Sequence, residues 1–259
     1  MASFRSSFRF LAPAFVALTL CGAPAVASAQ NFSAGQRGEI EKIVREYLLA
    51  HPEVLEEVSA ELSKRQAVAE AEKHQATISQ NAETIFNSPR GVTIGNKEGD
   101  VTFVEFFDYN CGYCKRAMSD MVDLIKADPK LKVVLKEFPV LGPGSLEAAQ
   151  VAVAVRMQDP SGKKYLDFHQ KLLGGKGQAD KARALAAAKE AGLDMAKLDK
   201  DMASPEVRAT LEENFKLAES MGMNGTPSYV IGKQVVVGAV GREALAEKIG
   251  IARCGKATC

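Results

Sequence analysis

Hydrophobic positions change their spacing in blocks along the chain. Ile40, Ile43, Val44, Tyr47 and Leu48 recur at the three- and four-residue spacing of an amphipathic helix. His51-Pro52 breaks that pattern, and Pro52 suits the first turn of a new helix. Val54, Leu55, Val58 and Leu62 then continue an apolar stripe, so two short amphipathic helices are expected. Beyond Lys64 the apolar positions thin to alanines, Val68, Ile78 and Ile85, which predicts a long polar helix or a linker. Asn87-Ser88-Pro89-Arg90-Gly91 is a boundary. After it, VTIG reads as a short strand, Gly99-Asp100 as a turn, and VTFVEFF as a buried strand interrupted only by Glu105. Cys114, Met118, Met121, Val122 and Ile125 return to helical spacing, ending before Asp128-Pro129. LKVVLKEF is the next strand, closed by Pro139. A strand, a helix and a strand in that order imply a parallel pair joined by a crossover.

From Ser145 to Met221 the pattern is helical in five pieces, beginning SLEAAQ, KKYLDF, DKARAL, MAKLDK and PEVRAT. Gly-rich and Asp/Pro-rich joints separate them. Gly225-Thr226-Pro227 leads into SYVIG and then QVVVGAV, with Lys233 in the tight turn of a hairpin. A last helix is expected from Arg242 to Ile249.

Composition adds three constraints. Arg5 and Arg9 precede an apolar run that ends at Ala27-Ser28-Ala29, which reads as a secretory signal peptide over residues 1–29. Cys21 is expected to leave with it. The remaining chain is near neutral without a basic tract, so there is no case for nucleic acid, and no other run is long and apolar enough to span a bilayer. The helical leader, residues 30–88 with its linker, is too poor in apolar residues to bury a core alone. Its apolar face needs a partner, either the chain's own main domain, residues 89–259, or another copy, and self-association is the preferred reading.

Four cysteines remain: Cys111, Cys114, Cys254 and Cys259. In an oxidising compartment disulfide chemistry is permitted. Cys111 sits where the strand ends and the helix begins, and a helix N-terminus favours a thiolate. Cys114 is one turn in, placed to attack a mixed disulfide formed at Cys111. Cys111 is therefore the attacking cysteine and Cys114 the resolving one, with Gly112 and Tyr113 between them setting the poise. Zinc would need four ligands, and His51, His74 and His169 show no ligand spacing. A permanent staple sits poorly at a strand–helix elbow. Cu(I) on the reduced pair Cys111 and Cys114 is a secondary role, because soft thiolates suit it. Glu105 in a central strand is costly to bury unless paired, and Lys136 is its candidate charge partner. Thr226-Pro227 carries a bond that can be cis. Cys254 and Cys259, in RCGKATC past the last expected helix, read first as a small terminal disulfide, otherwise as a labile or metal-binding pair. No cofactor is expected.

A CxxC motif closing a buried strand, with a distant Thr-Pro just before a hairpin, resembles the DsbA family over about Val92 to Gly250. The fold this implies is α/β: a thioredoxin fold with an inserted helical domain at about residues 145–221, preceded by a helical oligomerisation segment. The leader before a CGYC motif is similar, more narrowly, to the ScsC, or suppressor-of-copper-sensitivity, group. The resemblance implies a periplasmic protein thiol-disulfide oxidoreductase. The Gly-Tyr pair is shared with isomerases and reductases, whereas DsbA oxidases carry Pro-His, so isomerase or reductase is the implied role and a DsbA-like dithiol oxidase the alternative. Glu105 takes the place of a buried proton carrier. The Thr226-Pro227 loop faces the cysteines and offers the Thr226 backbone to a substrate chain. The partners implied are misfolded or cysteine-containing secreted proteins, a membrane redox partner that keeps the pair reduced, and further copies of the chain, trimer first and dimer second.

Overall fold

The computed structural model describes residues 32–259, so the signal-peptide reading of residues 1–29 lies outside the described residues. The chain divides into two compact units between Ser59 and Ala60.

The first unit holds α1 (Ala34–Ala50) and the start of α2 (Glu53–Gln80). Ser33 opens α1 with a reciprocal capping box. Its Oγ accepts from the Gln36 N–H and the Gln36 side chain accepts from the Ser33 N–H. No residue of α1 is buried, and Ile40, Ile43, Val44, Tyr47, Leu55 and Val58 all lie exposed. The expected second short helix and the polar stretch after it are one 28-residue helix. No Gly or Pro falls between Glu53 and Gln80, and Ala, Glu, Lys and Gln dominate there, so nothing ends the helix.

The second unit is built on a five-stranded sheet of order β1-β3-β2-β4-β5. Its strands are β1 (Val92–Gly95), β2 (Val101–Phe107), β3 (Leu131–Glu137), β4 (Ser228–Ile231) and β5 (Gln234–Val237). β2 and β3 run parallel through the crossover helix α4 (Gly112–Ala127), and the other pairings are antiparallel. The helical insertion is α5 (Pro143–Gln158), α6 (Lys163–Gly174), α7 (Lys181–Glu190), α8 (Met195–Met202) and α9 (Pro205–Ser220). α10 (Arg242–Cys254) follows the hairpin. It is longer than its apolar pattern predicts and ends only where Gly255 takes a left-handed conformation, φ 78°, so Cys254 is its last residue.

Strand alternation sorts side chains to two faces. Phe103, Phe107, Val133 and Leu135 join Cys114, Met121, Leu245 and Ile249 in the larger cluster. Val104, Phe106 and Val134 face a second cluster with Leu217, Ala218, Ile78 and Ile85. Ile78 lies in the last turn of α2 and Ile85 in α3 (Ala82–Phe86), so this body takes in chain before the compositional boundary at Ser88. Among the described residues no helix is long and apolar enough to cross a membrane.

Candidate active site

The site starts at the carboxyl end of β2. Asp108, just past the strand, is buried, and its carboxylate accepts from Asn110 N–H (2.8 Å), Val140 N–H (2.8 Å), Leu141 N–H (2.9 Å) and Ser145 Oγ–H (2.7 Å). Asn110 donates to Ser145 Oγ and the Ala179 carbonyl, and accepts from Ala179 N–H at 2.7 Å. These bonds tie the turn before the cysteines to the loop after β3 and to the insertion. Every donor that turn and loop present to Asp108 is satisfied, which fixes the elbow from which α4 departs.

Cys111 is the N-cap of α4, with an extended backbone, and its Sγ accepts from Cys114 N–H at 3.3 Å. Both cysteines carry free, buried thiols. The Cys111 thiol is lowered to about 6, first by a hydrogen bond from the Cys114 thiol. Burial opposes this, and the Thr226 side chain and the N–H groups of Cys114 and Tyr113 reinforce it. The Cys114 thiol is pushed well above the ordinary range by its hydrogen bond to Cys111, by burial and by Glu105. The two thiols are thus driven apart, an anion at the helix terminus over a protonated neighbour one turn inside.

Glu105 is buried on the same sheet face as the cysteines, in step with Phe103 and Phe107. Burial, then the negative charge of Cys111 and of Asp120, pushes its carboxyl up to about 8. The expected pairing with Lys136 is not made. Glu105 lies across from Leu135, and Lys136 lies across from Phe106 and so faces the other side of the sheet. There its ammonium is 3.7 Å from Glu213, which also takes bonds from Arg90 and Ser88. Burial lowers the Lys136 pKa. Lys136 is on the neighbouring strand, but residue parity turns it to the opposite face.

Thr226-Pro227 carries a cis bond, and the Thr226 carbonyl oxygen lies 3.2 Å from Cys111 Sγ, accepting from it when that sulfur is a thiol. That contact brings the loop before β4 directly over the cysteine pair. Pro227 O accepts from Gly238 N–H at 2.8 Å, which anchors the loop to the far end of the hairpin. Tyr113 is 60% exposed, its ring under the Arg116 guanidinium at 4.9 Å, and Gly112 is open to solvent. Cys254 and Cys259 are joined by a disulfide, and so are not available to complete a ligand set at Cys111 and Cys114.

Sequence reasoning missed three groups here. Asp108 shows no periodic signal, because its role comes from a loop more than thirty residues on. Tyr229 sits directly across from Glu105 in the β2–β4 pair, a fact that needs the register. The third is a buried polar chain behind the site: Tyr165 OH donates to Glu137, and Tyr109 OH lies 3.3 Å from both Tyr165 OH and His169 Nδ1. Burial lowers His169 to about 3, so it is neutral.

Comparison with known proteins bears on the family and the fold. Residues 102–250 match the family model of the DSBA-like thioredoxin domain, and residues 36–69 match that of the copper resistance protein ScsC N-terminal domain. A thioredoxin-like oxidoreductase from Silicibacter pomeroyi is 44% identical, with 66% of this chain and 96% of that chain covered and a TM-score of 0.62. A linker-deletion variant of Proteus mirabilis ScsC is 28% identical, with 87% of this chain and 98% of that chain covered and a TM-score of 0.64. The thiol:disulfide interchange protein DsbA of Bordetella pertussis is 27% identical over 146 residues, 55% of this chain and 68% of that protein. The chain spans only about a quarter of the length of the sodium/proton antiporters it also matches, 24% for NhaA 1 of Salinispora arenicola.

Proposed function

As the chain belongs to the family of DsbA-like thioredoxin domains and carries an ScsC-type N-terminal segment, we propose that it is a periplasmic thiol-disulfide oxidoreductase that reshuffles or reduces disulfides in other proteins. The observation that carries this reading is the divergence of the two thiols, Cys111 lowered to about 6 and Cys114 raised, beneath the Thr226-Pro227 loop. The Cys111 thiolate attacks one sulfur of a client disulfide. A Cys111–client disulfide forms, and the other client sulfur leaves as thiolate. If that or another client thiolate then attacks the Cys111–client bond, the client leaves with a new disulfide and Cys111 is again a thiolate, which is isomerisation. If instead Cys114 gives up its proton and attacks Cys111 Sγ, the client leaves reduced and the pair closes to a disulfide. A membrane redox partner returns that disulfide to two thiols. The proton of Cys114 has a buried acceptor in Glu105. The Thr226 backbone next to Cys111 supports a role in holding the client chain by strand-like pairing.

The exposed stripe of α1 and α2 supports self-association, trimer first and dimer second. Several Cys111 thiolates around one client raise the local concentration of the attacking group. Removing residues 30 to about 75 should give a monomer that still reduces insulin but loses most of its power to refold scrambled ribonuclease. A full-length monomer by sedimentation, or a truncated one that isomerises equally well, would overturn this. Two adjacent free thiols also favour a second reading, Cu(I) binding by the reduced pair. A Cu(I) titration in which Cys111→Ser binds as tightly as the unaltered protein would dismiss it.

A further inference from the structure

Tyr229 carries a buried hydroxyl on the cysteine side of the sheet that has no part in the redox mechanism and, unlike those of Tyr109 and Tyr165, no partner among the described residues. It is 1% exposed, and no protein group among the described residues pairs with its OH. A buried hydroxyl is ordinarily hydrogen-bonded, so this one calls for an explanation. Its position supplies one. Tyr229 lies directly across from Glu105 in the antiparallel β2–β4 register, and directly opposed residues share a face with neighbouring side chains. Its ring packs on Phe103, centroids 5.1 Å apart, which holds it on that face.

We propose that Tyr229 is a positioning residue for proton transfer, its OH donating to the Glu105 carboxylate, directly or through one water, when Glu105 takes the proton of Cys114. This rests on the redox reading above and deepens it. In the resting reduced protein Glu105 is held neutral by burial and by the Cys111 anion, so no donor is called for. In the mixed disulfide the Cys111 sulfur is bonded to the client and carries no charge. That repulsion disappears while burial remains, so ionising Glu105 to act as base costs less than in the resting protein but still calls for a donor. The Cys114 S–H bond breaks, and its proton goes to a Glu105 oxygen. The Cys114 sulfur then bonds to Cys111 Sγ, and the client sulfur leaves with the electron pair of the broken disulfide. A carboxylate in an apolar site needs a donor in the state that precedes this step. Tyr229 is the group placed to supply it.

The charged and titratable groups around this point are few. α4 contributes Cys111, Cys114 and Asp120, β2 contributes Glu105, and β4 contributes Tyr229 itself. The buried residues that α10 turns inward are Leu245, Ile249 and Gly250, none of which titrates. The strand neighbour on the other side of Glu105 is Leu135.

The test uses the full chain with glutathione in mixed disulfide at Cys111, and follows glutathione release against pH. Proteins compared are the unaltered chain, Tyr229→Phe, Glu105→Gln and the double variant. Losing a hydrogen bond to a charged group is expected to slow release about tenfold below the profile's midpoint and to move that midpoint up by about one unit. The two profiles should converge at high pH, where Glu105 is ionised in either protein. In the Glu105→Gln background Tyr229→Phe should have no further effect. An unchanged profile, or equal slowing with and without Glu105, would overturn the inference. Tyr229→Phe keeps the ring on Phe103, and replacing Tyr229 by a more acidic fluorotyrosine gives the opposite expectation, a midpoint moved down. An unaltered protein that forms no mixed disulfide at Cys111 would bring down the redox reading itself, and this inference with it.

Discussion

Replacing Cys114 by alanine perturbs the site at the contact that most lowers the Cys111 thiol. With a pKa of about 6, Cys111 is about 90% thiolate at pH 7, against about 3% for an ordinary thiol near 8.5. Cys114→Ala removes the thiol hydrogen bond but leaves the Cys114 N–H, 3.3 Å from Cys111 Sγ, and the helix terminus in place. A hydrogen bond to a charged group contributes about 1.5 kcal/mol at the lower end, roughly one pKa unit. Cys111 in the variant should therefore titrate near pH ~7, with about half of it ionised at pH 7. It should not return to the ordinary range, because the terminus and the backbone donors remain. Thiolate absorbance against pH on the reduced protein reads the midpoint. The rate of iodoacetamide alkylation against pH reads it independently. A midpoint near ~8.5 in the unaltered protein would refute the reasoning. So would a Cys114→Ala variant that titrates where the unaltered protein does, since the thiol hydrogen bond would then contribute nothing.

Three further outcomes follow from the same geometry. Glu105→Gln should stabilise the protein at neutral pH. The Glu105 carboxyl is raised from 4.5 to about 8, so stability is fully present below pH 4.5 and is lost as pH rises to about 8, while the unfolded chain ionises and the folded one does not. The gain at pH 7 is on the order of 3 kcal/mol, and thermal melts of the two proteins should coincide near pH ~4. Asp108→Ala strands four donors and should cost about 3 kcal/mol or more in urea denaturation. Lys136→Met should leave the Cys111 titration unmoved, because the ammonium lies on the other face of the sheet. A Lys136→Met variant with a shifted Cys111 midpoint would restore the pairing that the register denies.

What could be read in the sequence was what local chemistry declares. The cysteine pair at a strand–helix elbow and the Thr-Pro before a hairpin marked the two halves of the site, because each sits at a change of hydrophobic period. The alternation of β2 also showed that Glu105 interrupts an apolar run. Its partner was not legible, since a one-residue step in β3 moves a side chain to the other face, and only the register separates Leu135 from Lys136. Tyr229 was hidden for the same reason. Asp108 was hidden because its donors come from the loop after β3 and from α5. The length of α2 was misjudged by weighting apolar residues over helix propensity, which alone carries the helix through the alanine-rich stretch.

The central claim is that Cys111 forms a covalent disulfide with client proteins and that Cys114 resolves it. Trapping tests it most directly. Cys114→Ala removes the resolving thiol, so the full-length variant, made in a periplasm and quenched with acid and an alkylating agent, should carry client proteins in reducible bonds through Cys111. Adding Cys111→Ser should abolish them. The absence of such adducts, or adducts that persist without Cys111, would contradict the account.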